Sequence, residues 1–169
     1  MKRELIFIPF LLLFVGCRDI LTANKSLPLT AIYAGTYSCR TNSENGAIGT
    51  LIIFPETDTT VLFYMDLNNG APAYNMGSLY GRLEIIDSSG TFNQKYYFSD
   101  YRRRFIIEFS GNSIMIIAVD YQCGCGFGHS VYADGVFERL SAKIPEYFDN
   151  GSGKKVFFGK TATEDYYKN

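Results

Sequence analysis

Along most of this chain apolar and polar side chains alternate with period two, the signature of strands with one buried and one wetter face. Val61, Phe63, Met65 and Leu67 alternate with Thr60, Leu62, Tyr64 and Asp66. Leu79, Gly81, Leu83 and Ile85 alternate with Tyr80, Arg82, Glu84 and Ile86, and Phe105, Ile107 and Phe109 with Arg104, Ile106 and Glu108. The pattern predicts strands over Ala34–Arg40, Gly49–Phe54, Thr60–Leu67, Ser78–Ile86, Thr91–Phe98, Arg103–Ser110, Ser113–Tyr121, Tyr132–Leu140 and Lys155–Lys160. Turn residues separate them: Asn69-Gly70, Asp87-Ser88-Ser89-Gly90 and Ser110-Gly111-Asn112-Ser113. Only Ser141–Asn150 has helical capacity, and Pro145 limits it to a turn or two. Regular short strands joined by turns predict an all-β domain. The expectation is a single antiparallel up-and-down β-barrel of about eight strands, because closure leaves no edge of unpaired backbone groups.

The first residues break this pattern. Lys2 and Arg3 precede an eleven-residue apolar run, Leu5–Val15, followed by Gly16 and Cys17. A helix of that length spans about 16 Å, about half of the ~30 Å hydrocarbon layer, so it reads as an export signal rather than a membrane span. Phe14-Val15-Gly16-Cys17 resembles the lipobox of bacterial lipoproteins. That resemblance implies cleavage before Cys17 and acylation of its thiol. The expected organisation is a signal peptide at 1–16, a lipidated Cys17 with a polar tether to 32, a barrel domain at 33–160 and a loosely docked tail at 161–169, with Tyr166 and Tyr167 as its available anchors.

Composition narrows the function class. The 169 residues carry 16 basic and 17 acidic groups; without residues 1–16 the balance is 14 to 16, a net charge of -2. Nucleic-acid binders carry a basic excess, so Tyr101-Arg102-Arg103-Arg104-Phe105 reads as a solvated connection, with no nucleic-acid partner. Fourteen Phe and thirteen Tyr, with no Trp, supply the bulk expected to fill a barrel interior, notably Phe63, Phe92, Phe98, Phe105 and Phe109.

With Cys17 acylated, Cys39, Cys123 and Cys125 remain, and export makes a disulfide plausible chemistry. Cys39 pairs with Cys125 in the preferred reading, or with Cys123; closing a loop of about 85 residues would stabilise the fold by roughly 4–5 kcal/mol. Cys123-Gly124-Cys125-Gly126-Phe127-Gly128-His129 holds two thiols and the only histidine. Its C-x-C spacing falls short of the C-x₂₋₄-C of zinc sites, and a fourth ligand would have to come from Cys39 or Asp134. The reading is therefore no metal and no cofactor, with the glycines serving close backbone approach. No nucleophile elbow, phosphate loop or dinucleotide fingerprint occurs, and Asp66, Glu84 and Glu108 fall on the outer faces of their strands. The chain reads as a non-enzyme.

Ala34-Gly35-Thr36-Tyr37, Ala71-Pro72-Ala73-Tyr74-Asn75-Met76-Gly77 and the run from Cys125 to Phe137 together resemble a group of small exported β domains of Gram-negative bacteria. The resemblance implies a lipocalin-like barrel and no particular activity. A looser similarity is to membrane-bound lysozyme inhibitors: Tyr37-Ser38-Cys39 matches their opening, and Ala73-Tyr74 falls at their inhibitory loop. The serine and arginine of that loop are absent here, as is the lysine-bearing second motif. The expected protein is thus lipid-anchored to the outer membrane in the bacterial cell envelope, with a non-enzymatic role in binding another envelope or extracellular protein. Tyr74, Asn75, Phe127 and His129 are the candidate contact surface. The alternative is a lipocalin-like barrel holding a small apolar ligand.

Overall fold

The computed structural model describes residues 26–40, 48–95, 102–119, 127–129 and 131–167, with the side chains of 40, 91–95 and 102–103 outside that description. Eight strands close into an antiparallel up-and-down barrel in sequence order. They are β1 (Gly35–Arg40), β2 (Ile48–Pro55), β3 (Thr60–Asn68), β4 (Met76–Ile86), β5 (Ser89–Lys95), β6 (Arg102–Ser110), β7 (Ser113–Ala118) and β8 (Gly135–Ser141). Closure is completed by β1 pairing with β8. Arg102 to Phe105 belong to β6, so the basic run is part of the wall rather than a connection.

The alternation dictates the interior. Tyr37, Leu51, Ile53, Phe63, Met65, Leu79, Leu83, Phe105, Ile107, Ile114 and Phe137 all face inward and are at most 1% exposed. Each such side chain contributes about 1.5–3 kcal/mol on burial, which is why the register is fixed. Asp66, Glu84 and Glu108 sit on the opposite parity, outside the barrel.

The strand turns divide the barrel into two ends. At the end carrying Glu56–Thr59, Asp87-Ser88 and Gly111-Asn112, here called the floor, a 3-10 helix at Leu29–Tyr33 lies across the opening. Thr30 Oγ1 donates to the Thr57 carbonyl at 2.6 Å, and the Tyr33 ring packs on Phe109 at 4.5 Å. Tyr37 Oη donates to the Tyr33 carbonyl at 2.8 Å and accepts from Arg139 Nε at 2.8 Å. Arg139 Nη2 reaches the Ile32 carbonyl at 2.7 Å, and its guanidinium lies over the Tyr37 ring. Helix, β1 and β8 are thereby tied at one point.

Two expectations need correction. Ser141–Asn150 forms no helix; Pro145 precedes β9 (Tyr147–Asp149), which pairs with β10 (Lys155–Phe157) as a hairpin separate from the barrel. The predicted strand to Lys160 therefore ends at Phe157, followed by a turn with Gly159 at φ 71°. The physical reason is the apolar outer face of β3 and β4, which needs cover. Leu62, Tyr64 and Tyr80 are buried there by Phe148, Val156 and Phe158. Phe148 stacks on Tyr64 with ring centroids 3.9 Å apart. The tail is docked as well: α1 (Thr163–Tyr166) places Tyr167 Oη between the Tyr80 N–H, 2.7 Å, and the Tyr80 carbonyl, 2.8 Å. Those groups face the β5 side of β4, where the β4–β5 ladder has only two residue pairs, so the hydroxyl takes the place of a strand partner.

Candidate functional site

The other end, the rim, is built by the β3–β4 loop and by Phe127–His129 from the β7–β8 connection. Asn68 ends β3 by accepting the Gly70 N–H on its Oδ1 at 2.7 Å, an Asx turn. Asn69 N–H then donates to the Asn75 carbonyl at 3.1 Å and Tyr74 N–H to the Gly70 carbonyl at 2.8 Å. Ala71–Pro72 is cis, and Tyr74 holds φ 48°. This small self-bonded loop leaves Tyr74 63% exposed.

The second segment is joined to the first. Gly128 N–H donates to the Met76 carbonyl at 2.9 Å, at the start of β4. Asn75 Nδ2 donates to the His129 carbonyl at 2.7 Å. A side chain at Gly128 would meet the Met76 carbonyl at 2.9 Å, so glycine is required for this approach. His129 is exposed. Asn75 and His129, 54 positions apart, are therefore brought together, with Tyr74 beside them.

Phe127 is the correction. It is buried, 9% exposed, rather than displayed at the rim. Its ring stacks near Phe105 at 6.2 Å, and it occupies the space a Cβ on Gly77 would fill, at 2.3 Å. An apolar ring next to an opening in the wall gains more from the core than from water. Phe127 plugs the barrel and so fixes the segment that carries His129.

Beneath the rim lies a cavity of about 240 Å³ lined by Cys39, Ile48, Gly49, Leu67, Asn68, Asn69, Val131, Tyr132, Asp134 and Phe137. Cys39 points inward from β1, as its parity with Tyr37 requires, and burial raises its thiol pKa. Cys39 is a free thiol among the described residues; Cys17, Cys123 and Cys125 lie outside them, as do residues 1–25. Asp134 is committed elsewhere, its Oδ1 accepting the Ala118 N–H at 2.8 Å at the end of β7. Among the described residues no three His, Cys, Asp or Glu side chains converge as metal ligands. Among the described residues Asn69 Oδ1 is buried without a hydrogen-bond partner.

An open groove of about 500 Å³ runs outside the wall below Met76, lined by Asp66, Gly77, Ser78, Gly151, Tyr166 and Tyr167 as well. Burial raises the Asp66 carboxyl pKa, opposed by the Leu67 backbone N–H. Next to it the Tyr64 hydroxyl is buried beside Ser78 and Tyr166, and burial, with the neighbouring Asp66 charge, raises its pKa. This groove was missed from sequence, although Leu62, Tyr64 and Tyr80 on a nominally wet face signalled that something covers it. Compared with protein-family models, curated proteins and solved structures, the chain matches none.

Proposed function

We propose that this chain is a lipid-anchored cell-envelope binding module without enzymatic activity, held on the outer membrane through Cys17 and contacting another envelope or extracellular protein with its rim. The observation that carries this reading is the division of labour in the barrel. Its interior is packed with side chains such as Phe63, Phe105 and Phe137, whereas Tyr74, Met76 and Tyr132 are displayed at one end, 63%, 54% and 67% exposed. Aromatic side chains on a fixed backbone are the usual anchors of protein interfaces. The cavity at the mouth, about 240 Å³, is smaller than the roughly 300–1,000 Å³ of typical ligand sites.

The test is capture from envelope extract by the protein and by a Tyr74→Ala variant in parallel. A partner retained by the first and lost by the second supports the reading; equal retention removes the rim from it. Lysozyme is the partner class that the sequence resemblance suggests, and titration into a lysozyme assay decides that version. No inhibition at micromolar protein eliminates it. A second reading, a small apolar ligand in the mouth, is favoured by the apolar side chains that line the cavity, Ile48, Leu67, Val131 and Phe137. Saturable binding of an apolar fluorescent probe, abolished by Cys39→Phe, would establish it.

A further inference from the structure

We infer that the floor of the barrel is a membrane-facing surface, seated on the bilayer that holds the N-terminal lipid. This rests on the lipid-anchor reading of Cys17 and adds an orientation to it. Among the described residues five aliphatic side chains are at least two-thirds exposed: Leu27 at 67%, Leu29 at 74%, Ile32 at 68%, Ile86 at 70% and Leu140 at 71%. All five lie at the floor. Leu27, Leu29 and Ile32 belong to the segment that crosses it, Ile86 ends β4 at the floor turn, and Leu140 is the penultimate residue of β8. The other exposed aliphatic residues, Ile48, Met76, Met115 and Val136, range from 40% to 54% and are spread over walls and rim.

Single exposed apolar side chains are ordinary on any protein surface. Five of the most exposed kind at one end mark a contact surface, and the route of the chain names its occupant. The described chain starts at Ser26, next to the floor. Cys17 lies nine positions earlier and nine residues reach at most about 32 Å. A lipid there brings the floor to the bilayer, while the rim stands a strand length away on the far side. Among the described residues the floor also carries no basic excess, even with Lys143 just beyond β8. Glu56 is neutralised by Arg82 through two contacts of 2.7 and 2.8 Å, Arg139 is engaged by Tyr37 and the Ile32 carbonyl, and Asp58 and Asp87 sit in the turns. Attraction to anionic headgroups therefore does not drive the seating. Aliphatic burial at the headgroup boundary does, and it resists salt.

The experiment is site-specific photocrosslinking of the full chain, expressed with its own signal in bacterial cells. A benzophenone side chain is placed in turn at Leu29, Ile32 and Leu140 on the floor and at Tyr74 and Tyr132 on the rim. Mass spectrometry of the same samples reads the modification of Cys17. Lipid adducts many-fold more abundant from the floor than from the rim support the proposal. So does their loss from position 140 when Leu29→Glu and Ile32→Glu are combined, exposed substitutions that leave the core intact. Acylated, membrane-bound protein with no floor-to-lipid adducts, with equal adducts from both ends, or with floor adducts to protein overturns the orientation and leaves the anchor standing. An unmodified Cys17 in protein that leaves the membrane fraction overturns both.

Discussion

At the floor, Arg139 holds Tyr37 and the backbone of the 3-10 helix together, and Thr30 ties that helix to the β2–β3 turn. The rim is held differently. There, among the described residues, the loop 69–75 bonds mainly to itself and to Asn68, and one amide bond from Asn75 joins it to the 127–129 segment, which is held in turn by Gly128 on Met76. The floor spends its polar groups on closing the barrel and exposes aliphatic side chains around them. The rim keeps its backbone fixed with few bonds and exposes tyrosine. One end is thus suited to a featureless apolar layer and the other to a shaped surface.

This contrast breaks most readily at Tyr37. Tyr37→Ala removes a side chain 1% exposed and leaves Arg139 and the Tyr33 carbonyl without their partner; a loss of about 3–5 kcal/mol is expected in denaturant unfolding. A loss below about 1 kcal/mol would mean that the floor is not the structural end. Phe127→Ala comes next, with an expected cost of about 3 kcal/mol, because its ring fills the barrel beside Gly77 and Phe105. If it left stability unchanged and abolished partner binding instead, Phe127 would be a contact residue after all.

Two carboxylates extend the comparison to pH. Burial raises the Asp66 pKa beside the groove, so its contribution to stability is fully present below its unfolded value and lost as pH rises through the folded one. At the floor turn the hydrogen bond from Arg82 lowers the Glu56 pKa, and that contribution is lost as pH falls. Asp66→Asn is therefore expected to raise the melting temperature at neutral pH and to converge on the parent in acid. Glu56→Gln is expected to lower it at neutral pH and likewise converge in acid. Calorimetry across pH checks both, and an Asp66→Asn variant less stable at neutral pH would contradict the desolvation argument. The smallest effect belongs to Tyr74→Ala, within about 0.5 kcal/mol of the parent, since its ring is mostly exposed. A larger loss would show that the rim loop depends on it.

The barrel itself was legible because period two survives in its central wall strands, from Val61–Leu67 to Phe105–Phe109, and because Gly111-Asn112 marks its hairpin. The β9–β10 hairpin was not, since Tyr147-Phe148-Asp149 follows a proline in a short polar stretch with no long alternation. Its trace lay elsewhere, in Leu62, Tyr64 and Tyr80 on a face that alternation alone calls wet. Asn75 and His129 were legible as neighbours of turns and glycines. Phe127 was misplaced because an aromatic ring among glycines looks displayed until a second glycine, Gly77, is found to leave room for it. Arg139 gave no signal at all, for an inward arginine is identified only through the tyrosine it meets.

Hydroxyl-radical footprinting of the full lipidated protein on vesicles, with the unanchored Cys17→Ser protein in solution as reference, reads both ends in one sample. The account predicts that Leu29, Ile32 and Leu140 become protected on the vesicle while Tyr74 and Tyr132 remain as reactive as in solution. Protection of Tyr74 and Tyr132 with a reactive floor would turn the molecule over and contradict it.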